Sequence, residues 1–139
     1  MKSILVIESD SMVRRFLRAA LEASHYKVTE ARDDATGLEM AMRREDIGVI
    51  VLDCMGTRAG GLRTLKKLRS DPRSRAVPVI AMSGLGQYGY DLPLWASASL
   101  VKPFRPSQLI KKIQGLPIET QQALQPEPEL MSVLGVAAV

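Results

Sequence analysis

Two spacings alternate along this chain, and no other feature restricts its fold as much. Ile4 to Ile7 is an unbroken apolar run, which reads as a short strand buried on both faces when turn residues bound it. From Ser11 the spacing changes. Met12, Val13, Phe16, Leu17, Ala20 and Leu21 recur at helical intervals, with Arg14, Arg15, Arg18 and Glu22 opposite. Asp10 or Ser11 is placed to accept from the free N–H groups of that first turn. The stretch YKVTEA (26–31) alternates as a strand, and Asp33 or Asp34 opens a second helix with Ala35, Leu38, Ala41 and Met42 inward. Ile47 to Asp53 is a third strand. A third helix begins near Gly61, with Leu62, Leu65 and Leu68 inside. VPVIAMS (77–83) is a fourth strand, Ser99 to Val101 a fifth, and Pro106 to Gln114 a last helix with Leu109, Ile110 and Ile113 inward.

Strand and helix in strict alternation predict an α/β domain, a parallel sheet with helices on both faces. Right-handed crossovers leave few topologies open to it. One unit is weak. GLGQYGYDLPLWASA (84–98) carries three glycines and a proline where a helix is expected. Each glycine costs about 1 kcal/mol in a helix interior, so the spacing predicts a short or irregular helix here, bearing Tyr88, Tyr90 and Trp95. Past Gly115 the character shifts. The expectation is a domain over residues 1–116, then a polar, proline-bearing linker and a short apolar tail over 117–139. That tail, LMSVLGVAAV, reads as frayed or as docking on a partner or on the domain itself.

With 139 residues, 46% apolar and 24% charged, the chain is an ordinary globular domain able to bury its own core. The single cysteine, Cys54, excludes an intrachain disulfide and a cysteine-based zinc site, and the single histidine, His25, excludes a histidine metal cluster. No stretch reaches the roughly 18 uncharged apolar residues of a membrane span, and the first strand is too short for a secretory signal. The expectation is a cytoplasmic protein with no membrane contact. Arg58, Arg63, Lys66, Lys67, Arg69, Arg73 and Arg75 lie close together, but no aromatic interleaves them. They read as the solvated face of the third helix, not as a nucleic-acid surface.

Ligands of an open parallel sheet sit beyond the carboxyl ends of its strands. The first strand ends in Glu8, Ser9 and Asp10, the third at Asp53, the fourth at Ser83, and the fifth runs into Lys102. Acid, acid, hydroxyl and ammonium therefore gather on one edge. Phosphoryl transfer to a carboxylate uses such a set: the carboxylate is the nucleophile, and the other groups neutralise and hold the phosphoryl oxygens. Two adjacent acids repel, and a hard cation such as Mg²⁺, with oxygen ligands and retained waters, relieves them. Asp53 ends its strand because the sheet aims it at an incoming phosphoryl group.

Over about Lys2 to Leu116 the chain resembles the response-regulator receiver domains of two-component signalling. The resemblance rests on the acid after ILVI, the aspartate ending VIVLD, the glycine-leucine pair in GGL, the hydroxyl after PVIAM, and KPF. It implies a flavodoxin-like three-layer sandwich whose five strands run in the order 2-1-3-4-5, an order for which a receiver protein is itself the reference case. It implies Asp53 as phosphoacceptor, fed by a sensor histidine kinase or phosphotransfer protein. Ser83 and Lys102 would bind the phosphoryl group. Mg²⁺ would rest on Glu8, Asp53 and the backbone carbonyl of Met55, with Ser9 a weaker candidate. Such a module assists its own phosphorylation and dephosphorylation without being an enzyme in the ordinary sense. The Lys102–Pro103 bond matches the family's cis proline, which costs little at proline and would aim the lysine inward.

Three departures accompany the match. Ser9 stands where the family commonly has a second acid, which should lower metal affinity, with the longer Glu8 reaching inward to compensate. Ser99 stands where an aromatic switch often sits, and Thr57 replaces a common proline. The alternative reading is therefore a degenerate receiver that takes no phosphate and serves as a docking or homodimerisation module. Unrelated flavodoxin-like ligand binding would want a glycine loop after the first strand, and ESDSM has none. No output domain follows in this sequence, so an effect is expected to pass through a separate downstream protein. Cys54, beside the acceptor, reads as a small neutral filler rather than a redox sensor.

Overall fold

In a computed structural model the chain is described over residues 1–54, 60–84 and 95–125. Five strands, β1 (Ser3–Ile7), β2 (Lys27–Ala31), β3 (Ile47–Asp53), β4 (Val79–Ser83) and β5 (Ala98–Val101), form one sheet in the order β2-β1-β3-β4-β5. Every pairing is parallel. The described helices are α1 (Ser11–Ala23), α2 (Asp34–Arg43), α3 (Gly60–Ser70), α4 (Pro106–Gln114) and α5 (Ile118–Leu124). All residues of β1 and β4 are buried, which is why their sequences run apolar without alternation. One core layer packs α1 and α4 on the sheet through Leu17, Leu21, Leu109 and Ile113. The other packs α2 and α3 on the opposite face through Ala41, Leu65 and Leu68.

The helix starts resolve as side-chain caps. Asp10 accepts from the N–H groups of Met12 (2.9 Å) and Val13 (3.2 Å), and Asp33 accepts from Thr36 (2.7 Å). The inward stripes are narrower than the spacing predicts. In α1 only Leu17 and Leu21 are fully buried, while Met12 and Phe16 stay 79% and 51% exposed. One residue is about 100° of helical turn, so the 12/16 pair faces away from the line that Leu17 and Leu21 point along. Likewise Ala35 is exposed at the start of α2, where Gly37 and Ala41 are the buried pair. In α3 Thr64 takes the inward place, with Leu62 only half-buried.

Residues 118–124 differ from the expected linker. They form α5, whose Ala123 carbonyl accepts from the Lys2 N–H (2.6 Å) and whose Leu124 is 1% exposed in the core. Gln121 Nε2 donates to the carbonyls of Ile113 (2.5 Å) and Leu116 (3.2 Å), so α5 folds back against the end of α4. Its polar sequence hides this, because only Thr120 and Leu124 turn inward. Met55, Thr57, the Tyr88–Tyr90 segment and the apolar tail lie outside the described residues. No described helix is long and apolar enough to cross a membrane.

The start of α3 lies tight against the residue that follows Asp53. A Cβ on Gly61 would fall 2.5 Å from Cys54 Cα and 2.7 Å from its Sγ. Backbone cannot yield cheaply, so Gly61→Ala is expected to lower stability by about 2 kcal/mol. Urea unfolding checks this, with Gly115→Ala as control. At Gly115 φ is −81° and the nearest atom to an added Cβ is 3.5 Å away, so that change should be close to neutral.

Candidate functional site

Four strand ends deliver the site. β3 closes on Asp53, which pairs with Met82 of β4, and Ser83 follows one step on. Ser83 in turn pairs with Val101 of β5, and its carbonyl accepts from the Lys102 N–H at 2.8 Å. The Lys102–Pro103 peptide is cis. From β1, Glu8 turns inward with its side chain 2% exposed. Lys102 Nζ lies 3.0 Å from Glu8 Oε1 and 3.3 Å from Asp53 Oδ1. Residues 8, 53 and 102, far apart in sequence, thus meet in one ion cluster, with Asp53 12% and Lys102 18% exposed. Asp10 is occupied at the start of α1 and takes no part in it.

One ammonium faces two carboxylates, which leaves the cluster a negative charge in excess when both acids are ionised. The structure records the strain. Glu8 Oε2 is buried and accepts from no donor. Burial first, and then a hydrogen bond that needs a proton shared with Asp53, push the Glu8 carboxyl up to about 7, although Lys102 pulls it down. A proton or a further cation would relieve this. Among the described residues no three acidic, histidine or cysteine side chains converge as a ready cation cage. The oxygen set present, Glu8 and Asp53, fits a hard divalent cation that keeps several of its own waters. Met55, the expected backbone ligand, lies outside the described residues.

Ser9 is exposed and shares with Asp53 the wall of a cavity of about 340 Å³. Two other contributors to this neighbourhood went unnoticed in the sequence. Asp34, in the first turn of α2, lines the same cavity and accepts from the buried Thr64 hydroxyl at 2.8 Å. The available signal was the doubled acid at 33 and 34: one caps the helix and the other is left beside the strand edge. Arg14, expected on the solvent face, instead donates from Nη1 to the Glu8 carbonyl (2.7 Å) and steadies the turn after β1. Cys54 is fully buried, and burial first, then the charges of Asp53 and Asp34, push its thiol up to about 12. It therefore stays protonated and unreactive.

Fold and site together define a class. Residues 4–114 match the response regulator receiver domain, and the chain belongs to that family, the receiver domains of two-component signalling. It is 35% identical over 117 residues to the response regulator PleD of Caulobacter vibrioides, covering 81% of this chain and 25% of PleD. The chain thus spans about a quarter of that relative's length. Among solved structures it is similar to the Francisella response regulator 1452 receiver domain, with 25% identity, a TM-score of 0.70, and coverage of 89% of this chain and 97% of that one. The same fold is seen in the receiver domain of the sensor histidine kinase PA1611 of Pseudomonas aeruginosa, at 23% identity, a TM-score of 0.71, and coverage of 88% and 97%. That protein holds a magnesium ion in its active-site cleft.

Proposed function

We propose that this chain is a phospho-accepting receiver in which Asp53 takes the phosphoryl group of a phosphohistidine on a partner sensor histidine kinase or phosphotransfer protein. The observation that carries this reading is the ion cluster, in which Lys102 bridges Glu8 and Asp53 beyond the ends of the strands. An Asp53 carboxylate oxygen forms the new O–P bond as the N–P bond of the phosphohistidine breaks, and the imidazole leaves with the bonding pair. Lys102 exchanges its contact with Asp53 for a phosphoryl oxygen, and the Ser83 hydroxyl, one strand over, holds another. Bound at Glu8 and Asp53, Mg²⁺ would supply positive charge to the phosphoryl oxygens. In this reading the reaction takes place in the cytoplasm, and the signal leaves through a separate downstream protein.

The docking or dimerisation reading draws on Ser9, with no acidic triad among the described residues, and on Ser99 in place of an aromatic switch. One experiment separates the two. The protein is incubated with Mg²⁺ and acetyl phosphate, and intact mass is followed for a phosphoryl adduct that hydroxylamine removes. The expected result is an adduct on the natural chain and none on Asp53→Asn. A natural chain that stays unmodified with both acetyl phosphate and a cognate kinase would reassign it as a docking module.

A further inference from the structure

One cavity among the described residues lies away from the phosphoacceptor. It is an open groove of about 700 Å³ between α1 and α4, floored by Phe16, Ala19, Ala20, Ala23, Pro106 and Ile110. Phe16 presents half its surface there. An apolar, alanine-lined trough on an otherwise charged surface is the kind of face that another apolar element covers. The ion cluster makes no use of it.

The chain carries a segment of matching character. Leu130 to Val139 has no charged residue, and Leu130, Val133, Leu134 and Ala137 fall at helical spacing. We propose that this segment docks in the α1–α4 groove of its own molecule. Length permits it. From Phe16 to Ser24 the groove follows about 12 Å of α1, and ten residues span about 15 Å even when fully helical. The path starts on the same face of the sheet, where Leu124, at the end of α5, packs in the core layer shared by α1 and α4. α5 is held against the end of α4 by Gln121, and α4 lines the groove down to Gln114. Gln125 to Glu129 can bridge up to about 17 Å.

Charge supports the same path. The spacer holds Glu127 and Glu129, and the last turn of α4 carries Lys111 and Lys112, of which Lys111 lines the groove. An acidic spacer crossing this basic turn guides the apolar segment into the trough. Ala19, Ala20 and Ala23 on the groove side leave room for the larger Leu130, Val133 and Leu134 of the segment. A spacer this short holds the segment at an effective concentration of about millimolar, so modest intrinsic affinity is enough. Docked there, the segment covers the exposed side of α1, whose first turn adjoins Glu8. A partner using that side of α1 must displace it.

The test uses the full chain with Ser132→Cys carrying a nitroxide label. Cys54 is buried and does not compete for the reagent. Amide signals of Ala19, Ala20, Ala23 and Ile110 are expected to lose most of their intensity, and to recover it when Leu134→Asp is added. A second sample mixes isotope-labelled chains lacking the nitroxide with unlabelled chains bearing it. No broadening in the mixture is the expected result. Broadening that appears in the mixture means a second copy's segment fills the groove and overturns the proposal. Broadening spread over other faces, or unchanged by Leu134→Asp, overturns it too.

Discussion

Arg69→Ala is expected to lower the unfolding free energy by about 3 kcal/mol, read as a lower urea midpoint with an unchanged slope. Arg69 reaches out of α3 and satisfies four acceptors. Nε donates to the Trp95 carbonyl (2.8 Å), Nη1 to the carbonyls of Val77 (2.7 Å) and Arg75 (3.1 Å), and Nη2 to Ser97 Oγ (3.2 Å). Hydrogen bonds from a charged donor contribute about 1.5–3 kcal/mol each, but water can replace those at the exposed Arg75 and Ser97. The part-buried carbonyls of Val77 and Trp95 are the ones left wanting. These four residues flank the entries to β4 and β5, the strands that deliver Ser83 and Lys102. Lys66 lies 5.5 Å above the ring of Trp95, which ties α3 to the same place. Trp95 is the chain's single tryptophan, so its emission should shift to the red in folded Arg69→Ala as the segment before β5 loosens. Arg69→Lys, a point charge without the planar fork, should recover only part of the loss. An alanine variant as stable as the natural chain would show that the fork merely decorates the surface.

The strands were legible in the sequence because this sheet is covered on both sides: an unbroken apolar run such as Ile47–Leu52 has few other uses. The meeting of Glu8, Asp53 and Lys102 was legible for a related reason, since a parallel sheet puts all its carboxyl ends on one edge. What escaped was decided by single tertiary contacts. α5 docks through a backbone hydrogen bond to Lys2, the Gln121 amide and the buried side chains of Thr120 and Leu124, and none of these leaves a periodic trace. Arg69 looked like one more cation of a basic helix, yet it is turned toward backbone carbonyls. Asp34 and Thr64 sit on different helices, and nothing in the spacing of either announces that they meet. The end of β2 was passed over because Asp33 and Asp34 read as the acids that open the second helix, and it is there that Asp34 enters the cavity wall.

Glu8→Gln should make the cation-free protein more stable at pH 8 by about 2 kcal/mol, with the gain vanishing near pH 4.5. In the folded chain the Glu8 carboxyl titrates near 7, against 4.5 for the free side chain, chiefly because burial and the adjoining Asp53 disfavour its charge. Between these two values the folded chain holds a proton that the unfolded chain has released, so stability falls as pH rises through the window. Above pH 7 the loss is complete, and the shift sets its ceiling at about 3 kcal/mol. Glutamine carries no charge to bury. Its amide oxygen can still accept from Lys102, and its amide group can donate to Asp53, so the cluster keeps its bonds without the excess charge. Urea unfolding at pH 5 and pH 8 in the presence of a chelator measures both ends. A gain of the same size at both pH values would tie the effect to packing, and no gain at pH 8 would mean that the Glu8 charge is already compensated. Adding Mg²⁺ at pH 8 sharpens the contrast. The natural chain is expected to gain stability with rising Mg²⁺, since the cation offsets the excess charge of Glu8 and Asp53, whereas Glu8→Gln should respond weakly. The acid that costs the empty site its stability is then the one that gives the cation a reason to bind.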